Sequence, residues 1–184
     1  MRCRHVVVQR AVDGYLCFAA SPLKVSPTNA CLADARARHP AVRAVTLVAI
    51  TRPVSPSLAE CELTHLERVP LDVATAVAQH GAYETLLQSL GAAIVRVAAA
   101  PEYPDAVFIE DMAVVLDDIA VVTRPGTLVR RGELAAVAPV LAEYRTVIAM
   151  EAPATLDGGD VLRVGRVLYV GRSSRSNDEG FCSL

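Results

Sequence analysis

The sequence predicts an α/β fold assembled from a repeated order of two strands, a helix and a strand. Three observations carry this expectation. The 184-residue chain is 53% hydrophobic and 21% charged, enough apolar surface to offset the entropy of ordering a single domain, or slightly more than one. Short apolar runs of strand length recur from Val45 onward. Two stretches of helical character separate them at regular intervals.

Residues 1–44 read differently. His5 to Val8 suits a strand, but Ser21 to His39 is rich in Pro, Ser, Ala and Arg with no period. A leader of low order, or a start-site artefact, is the expectation there. Val45 to Ile50 is a short buried strand. Thr51 to Leu71, with Pro53, Pro56 and Pro70, reads as a long loop, and loops of that length are often lids.

Asp72 opens the clearest helix and Gly91 closes it. Val73, Val77, His80, Tyr83, Leu87 and Leu90 recur at spacings of three and four and are expected to form its buried face. Ala93 to Ala98 is the next strand. Ala106 to Ile109 and Met112 to Val115 form a strand-like segment split by Glu110 and Asp111. Ile119 to Thr123 is another strand, and Pro125-Gly126 a turn. Glu133 to Tyr144 reads as a helix that Pro139 should kink or shift. Thr146 to Met150 is a strand. A turn at Asp157 to Asp160 precedes paired strands at Val161 to Val164 and Val167 to Val170. The repeating unit is about 45 to 50 residues, a period typical of propellers and solenoids. It shows in the order of elements and not in the letters.

Composition excludes several functions. The net charge is −2, so no basic field points to nucleic acid or a membrane surface. No apolar run approaches the roughly 18 to 20 residues of a spanning helix. Seventeen of the eighteen basic residues are Arg, which genomic bias explains more simply than phosphate binding. Cys3, Cys17, Cys31, Cys61 and Cys182 are odd in number and widely spaced. That pattern argues against a disulfide framework or a zinc site and favours a reducing, cytoplasmic setting. Gln9, Arg10 and Asp13 interrupt the apolar stretch a secretory signal needs.

Three polar clusters interrupt the strands. Asp105, Glu110 and Asp111 flank four apolar residues, and strand alternation would place Glu110 and Asp111 on opposite faces. Burying such acids is costly without partners, and a cationic substrate is one such partner; solvated loop acids are the other reading. Thr123-Arg124-Pro125-Gly126 with Arg130-Arg131 offers guanidiniums able to grip a carboxylate bidentately, or ordinary surface ion pairs. Leu156-Asp157-Gly158-Gly159-Asp160 and Gly171-Arg172-Ser173-Ser174-Arg175-Ser176-Asn177 form the third. Its glycine pair allows close backbone approach, or a plain hairpin. It lacks GxGxxG and a following helix pattern, so it is not a dinucleotide fingerprint.

Together these segments resemble the dimethylarginine dimethylaminohydrolase (dimethylargininase) family of the guanidine-modifying, or pentein, superfamily. The resemblance runs from about Thr46 to Gly180. Its strongest pieces are PDAVFIEDMAVV, TRPG followed by RR, LDGGDVL and GRSSRSNDEG, with SPSLAECELTH (Ser55 to His65) similar to the family's lid. It implies a partial pentein-type α/β propeller of ββαβ units, roughly half of a five-unit ring. It also implies three regions: a poorly matched leader at 1–44, the N-terminal part of a catalytic domain at 45–180, and an unmatched tail at 181–184.

The chemistry so implied is hydrolysis of methylated arginine to citrulline and a methylamine through a Cys thiolate, with no metal or organic cofactor. By resemblance, Asp105, Glu110 and Asp111 contact the guanidinium or hold the site together. Leu63 closes over substrate, Arg130 and Arg175 clamp its α-carboxylate, and Asp157 orients the catalytic His. A guanidinium is planar and always charged, which suits such acids.

The family's nucleophilic Cys and its His lie beyond the GRSSRSNDEG segment. Here no His follows His80, and Cys182 lacks the nucleophile's setting. His65 and His80 stand at positions that do not match the catalytic His, and His80 suits packing. The expectation is therefore an inactive, truncated chain that self-associates through an exposed edge. Arginine deiminase or amidinotransferase chemistry is the alternative within the superfamily, and a non-catalytic pentein binding module is the alternative outside catalysis. A small-molecule partner is expected, with neither nucleic acid nor membrane.

Overall fold

The computed structural model describes residues 4–8, 46–63 and 67–184. Cys3, Cys17, Cys31, the Ser21 to His39 stretch, and Thr64 to Leu66 with His65 at the end of the lid-like segment lie outside the described residues.

Three sheets succeed one another along the chain. The first holds β1 (Arg4–Val8), β2 (Thr46–Thr51) and β3 (Ala93–Arg96), all parallel, with α1 (Val73–Ser89) as the crossover from β2 to β3. Part of the expected leader is thus a strand. The second holds β4 (Ala113–Val115), β5 (Ile119–Val122) and β6 (Thr146–Ala149); β4 and β5 are antiparallel, and α2 (Leu134–Ala142) carries the chain to β6, parallel to β5. The third is the antiparallel pair β7 (Val161–Val164) and β8 (Val167–Val170). A short helix, α3 (Asp178–Cys182), follows. The order from β2 matches the expectation, and β4-β5-α2-β6 is a complete ββαβ unit.

Asp72 caps α1 as its position suggests: its side chain accepts from the N–H groups of Ala74 and Thr75. The buried face of α1 is largely the one expected: His80 is buried and Val73, Tyr83 and Leu87 are partly so. Ala76, His80 and Glu84 are buried, whereas Val77 is 51% and Leu90 71% exposed. The inner face follows a polar network. Glu84 accepts from Thr51 Oγ1 at 2.6 Å and pairs with Arg96 on β3, and a helix face that buries a carboxylate turns some of its apolar residues outward. His80, whose pKa burial lowers, packs in that face beside Tyr83, as a packing residue should.

One expectation changes. Residues 106–109 are not a strand; the segment turns and enters a 3-10 helix at Ile109–Met112. Glu110 and Asp111 are therefore on one tight turn instead of on opposite faces of a strand. The helix expected at Glu133 to Tyr144 is α2, preceded by a 3-10 turn at Val129–Glu133, and Pro139 lies inside it without ending it. The main core packs Val137 and Leu141 of α2 onto Ala113, Ala120 and Val122, and reaches Val48 and Ile50 of the first sheet and Val97 just after β3. A second cluster, with Val114, Val121, Met150 and Leu156, lies on the opposite face of β4-β5 and is met by Val161, Val170 and Leu184. Among the described residues no helix is long and apolar enough to cross a membrane.

Replacing Asp72 with Ala removes a cap that satisfies two N–H groups, and is expected to cost about 1 kcal/mol in urea unfolding, with Asp72→Asn nearly neutral.

Candidate active site

The three polar clusters meet in space, and a buried arginine ties the first to the second. Arg130 is 3% exposed, at the 3-10 turn before α2. Its Nη1 donates to Asp111 Oδ2 at 2.6 Å, its Nε to Glu133 Oε1 at 3.1 Å, and its Nη2 to the carbonyls of Asp105 and Phe108 at 3.2 and 3.3 Å. Burial opposes its charge, but Asp111 and Glu133 outweigh that and hold the guanidinium protonated, its pKa above the ordinary value. All three of its nitrogens serve protein acceptors. That is the geometry of a residue fixing the acids, and it departs from the substrate-carboxylate clamp that the resemblance implies.

Behind Arg130 lies a pair of residues the sequence had not singled out. Glu133 is buried, and Arg52 Nη2 donates to its carbonyl at 3.1 Å. Arg52 is wholly buried, and its Nε and Nη1 have no hydrogen-bond partner. A signal for Arg52 does exist in the letters. Ile50-Thr51-Arg52-Pro53 stands at the end of β2 as Val122-Thr123-Arg124-Pro125 stands at the end of β5, so the two Thr-Arg-Pro copies mark similar strand ends.

The second tie runs through glycine. Asp111 Oδ1 accepts from Gly159 N at 3.0 Å, so this carboxylate bridges Arg130 and the DGGD turn. That turn is a 3-10 helix, Gly158–Asp160, leading directly into β7. A Cβ on Gly158 would sit 2.1 Å from the carbonyl oxygen of Glu110, so glycine is required for the two turns to touch. Gly126 of TRPG stands likewise against the backbone of Arg175, its Cβ position 2.6 Å from Arg175 Cα. The last segment is laced to the third cluster by hydroxyls and an amide. Ser176 Oγ donates to Asp160 Oδ2 at 2.5 Å and accepts from Asp157 N at 3.1 Å, while Asn177 Oδ1 accepts from Thr155 N and Gly180 N, each at 2.8 Å. The same Asn177 caps α3, a short helix that the sequence reading did not expect after this segment.

The acids are buried as a group. Asp105 and Glu110 are buried, Asp111 is partly so, and Asp157 is 1% exposed. Asp105 accepts from Glu62 N through both oxygens, at 3.3 and 3.1 Å, and Thr127 Oγ1 donates to Glu62 Oε2 at 2.9 Å. The start of the lid-like segment is thus tied down beside the acids, with Leu63 partly exposed next to it. Burial raises the pKa of Asp105, against the Glu62 N–H and Arg130. Asp157 differs from the rest, because neither of its oxygens accepts a hydrogen bond. Arg175 Nε stands 3.2 Å from its Oδ2 without hydrogen-bond alignment, and the Arg175 side chain is partly exposed. Burial first, and then the charge of Asp111, push the Asp157 carboxyl up to about 6, with Arg175 and Arg130 pulling the other way.

Cys61, in the lid-like segment, is a free buried thiol. Burial and the nearby Asp105 carboxylate raise its pKa, the reverse of what an attacking thiolate needs. Among the described residues, no three or more His, Cys, Asp or Glu side chains are grouped to hold a metal ion.

A carboxyl harder to ionise in the folded state costs stability as pH rises from its unfolded value toward its folded one. For Asp157 that penalty grows between about pH 4 and pH 6 and then levels at roughly 3 kcal/mol. Asp157→Asn is expected to melt several degrees above the parent at pH 7 and alongside it at pH 4, in melts followed by circular dichroism. Gly158→Ala forces the DGGD turn off Glu110, and a loss of about 1–3 kcal/mol in urea unfolding is expected.

Comparison with known proteins places these segments. No protein-family model matches the chain. A dimethylarginine dimethylaminohydrolase of Streptomyces coelicolor is 43% identical over 137 residues, which cover 74% of this chain and 53% of the relative. The crystal structure of the Pseudomonas aeruginosa dimethylarginine dimethylaminohydrolase with citrulline superposes with a TM-score of 0.69 at 34% identity, over 73% of this chain and 53% of that one. The N-terminal domain of a cyanobacterial arginine dihydrolase, 22% identical with a TM-score of 0.64, shares the fold. The chain spans about half the length of the curated relatives it matches. In sequence and in its partial α/β propeller, the chain is a relative of the dimethylarginine dimethylaminohydrolases.

Proposed function

We propose that residues 45–180 form the guanidinium-binding part of a dimethylargininase-type site, corresponding to the N-terminal part of that catalytic domain. The observation that carries this is an excess of carboxylates at one site: Asp105, Glu110, Asp111, Glu133 and Asp157 stand with Arg52, Arg130 and Arg175, and all of these acids but Asp111 are buried. Five carboxylates against three guanidiniums favour one more flat cation with several N–H donors, and a methylated arginine head group is such a cation.

In this assignment Asp105 and Glu110 orient the substrate guanidinium, and Arg130 holds Asp111 and the 105–108 carbonyls so that they do not drift. Arg175, partly exposed at the rim, takes the substrate α-carboxylate, and Leu63 lies over the entrance. Asp157 accepts from the ring N–H of a catalytic histidine. The reaction of the whole site is attack of a Cys thiolate on the guanidinium carbon, loss of a methylamine, and hydrolysis of the covalent intermediate to citrulline. Cys61 does not fill the thiolate role, and no His follows His80. The 184 residues alone therefore bind and do not turn over, and they self-associate through exposed apolar strand surface. The buried acids favour this over a surface-binding pentein module, which needs no guanidine pocket.

Titration calorimetry with monomethylarginine tests the assignment. Binding is expected, at least tenfold weaker for neutral citrulline, weakened again by Asp105→Asn, and strengthening from pH 5 to pH 8 as Asp157 ionises. No citrulline should form from methylarginine. Equal affinity for the two ligands, or no binding of either, overturns the proposal; citrulline release overturns the inactivity.

A further inference from the structure

The third polar cluster holds a bracket that guanidinium binding leaves unused. Asp160 stands just before β7 and is engaged through its backbone and its carboxylate. Its N–H donates to the Asp157 carbonyl at 3.0 Å, and its carbonyl accepts from Gly171 N at 2.8 Å. Its Oδ2 accepts from Ser176 Oγ at 2.5 Å and from Ser173 Oγ at 2.7 Å. Each hydroxyl then accepts in turn. Ser176 Oγ takes Asp157 N at 3.1 Å, and Ser173 Oγ takes Arg175 N at 3.0 Å and Ser176 N at 3.2 Å. A serine hydroxyl has one proton to give and two lone pairs. Asp160 takes the proton of each, which turns the lone pairs toward the N–H groups. The two branches therefore end on Asp157 and Arg175. These are the residues whose side chains form an ion pair, Arg175 Nε 3.2 Å from Asp157 Oδ2. The Gly171–Asp160 backbone bond already extends the β7-β8 ladder past Val161 and Val170, so the hairpin itself does not need the carboxylate.

We propose that Asp160, acting through Ser173 and Ser176, is the positioning residue of the Asp157–Arg175 pair and holds the buried acid and the rim cation at one separation. The proposal rests on the assignment of those two residues to the guanidinium site. Arg175 is long and partly exposed, so a loose backbone would let its guanidinium leave both Asp157 and the place where a substrate carboxylate arrives. The bracket fixes that backbone from one side, and Gly126 abuts it from the other. The electrostatics make the bracket measurable. Burial raises the pKa of the Asp157 carboxyl, Asp111 and Asp160 add to the rise, and Arg175 and Arg130 oppose it. Freeing Arg175 removes one of the two opposing cations, so Asp157 keeps its proton to higher pH. Removing the Asp160 charge while keeping its acceptor does the reverse.

The first test is an NMR titration of the side-chain carboxyls in the chain without ligand, with Asp157 identified through Asp157→Asn. The Asp157 midpoint, about 6 in the parent, is expected to rise by about half a pH unit in Ser173→Ala, which keeps every charge and frees Arg175. It should stay at the parental value in Ser173→Thr, which keeps the hydroxyl, and fall in Asp160→Asn. The second test is calorimetry at pH 8 with monomethylarginine and with methylguanidine, a flat cation that has no carboxylate. Ser173→Ala and Asp160→Ala should each weaken monomethylarginine at least fivefold and methylguanidine less than twofold, while Asp160→Asn binds both as the parent does. Far-UV circular dichroism checks that each variant is folded. A midpoint unmoved or lowered in Ser173→Ala, failure of Ser173→Thr to restore it, or equal loss of the two ligands overturns the proposal. If the parent binds neither ligand, the guanidinium assignment falls, and the titration alone decides the role of Asp160.

Discussion

The guanidinium of Arg130 is the constraint around which the rest is arranged. A charge at that depth is tolerable only with close opposite charge and full use of its donors. Asp111 and Glu133 supply the first, and the carbonyls of Asp105 and Phe108 help with the second. The partners lie in two parts of the chain, so meeting the needs of one buried cation fixes the 105–112 turn against the start of α2. Asp111 then passes the restraint to the DGGD turn through Gly159. A polar chain of contacts thus does at the site what the apolar cluster under α2 does for the sheet.

The cost of that arrangement appears as misfit nearby. Arg52 keeps two nitrogens without partners, and Asp157 keeps two oxygens without donors. A core chosen for stability alone would not retain either, since an unmet buried polar group costs on the order of 1–3 kcal/mol. At Asp157 the misfit has chemical content: a carboxylate poised near neutrality in an acidic surround is suited to receive a donor from outside the cluster.

Much of this was legible in the letters, for identifiable reasons. Strand order, the Asp72 cap and the β7-β8 pair follow from period, capping chemistry and turn residues, all local properties. On α1, spacing finds the face of Val73, His80, Tyr83 and Leu87 but not the buried Glu84–Arg96–Thr51 network within it, because hydrophobic period carries no information about polar pairing. The 106–109 segment was misread because apolar composition does not separate a strand from a buried turn that enters a 3-10 helix. The acids at 105, 110 and 111 were identified by type, but their burial around Arg130 depends on contacts 19 to 25 residues apart. Glu133 and Arg52 went unnoticed because one acid and one arginine on a loop look like surface residues until their depth is known.

The tie between Glu62 and Asp105 uses a main-chain amide, which every amino acid except proline possesses. The anchor to the carboxylate therefore does not depend on which side chain stands at 62, whose own bond is the separate one from Thr127. Variation among homologues at that position would say little about whether the anchor is kept. A proline there would be the informative exception.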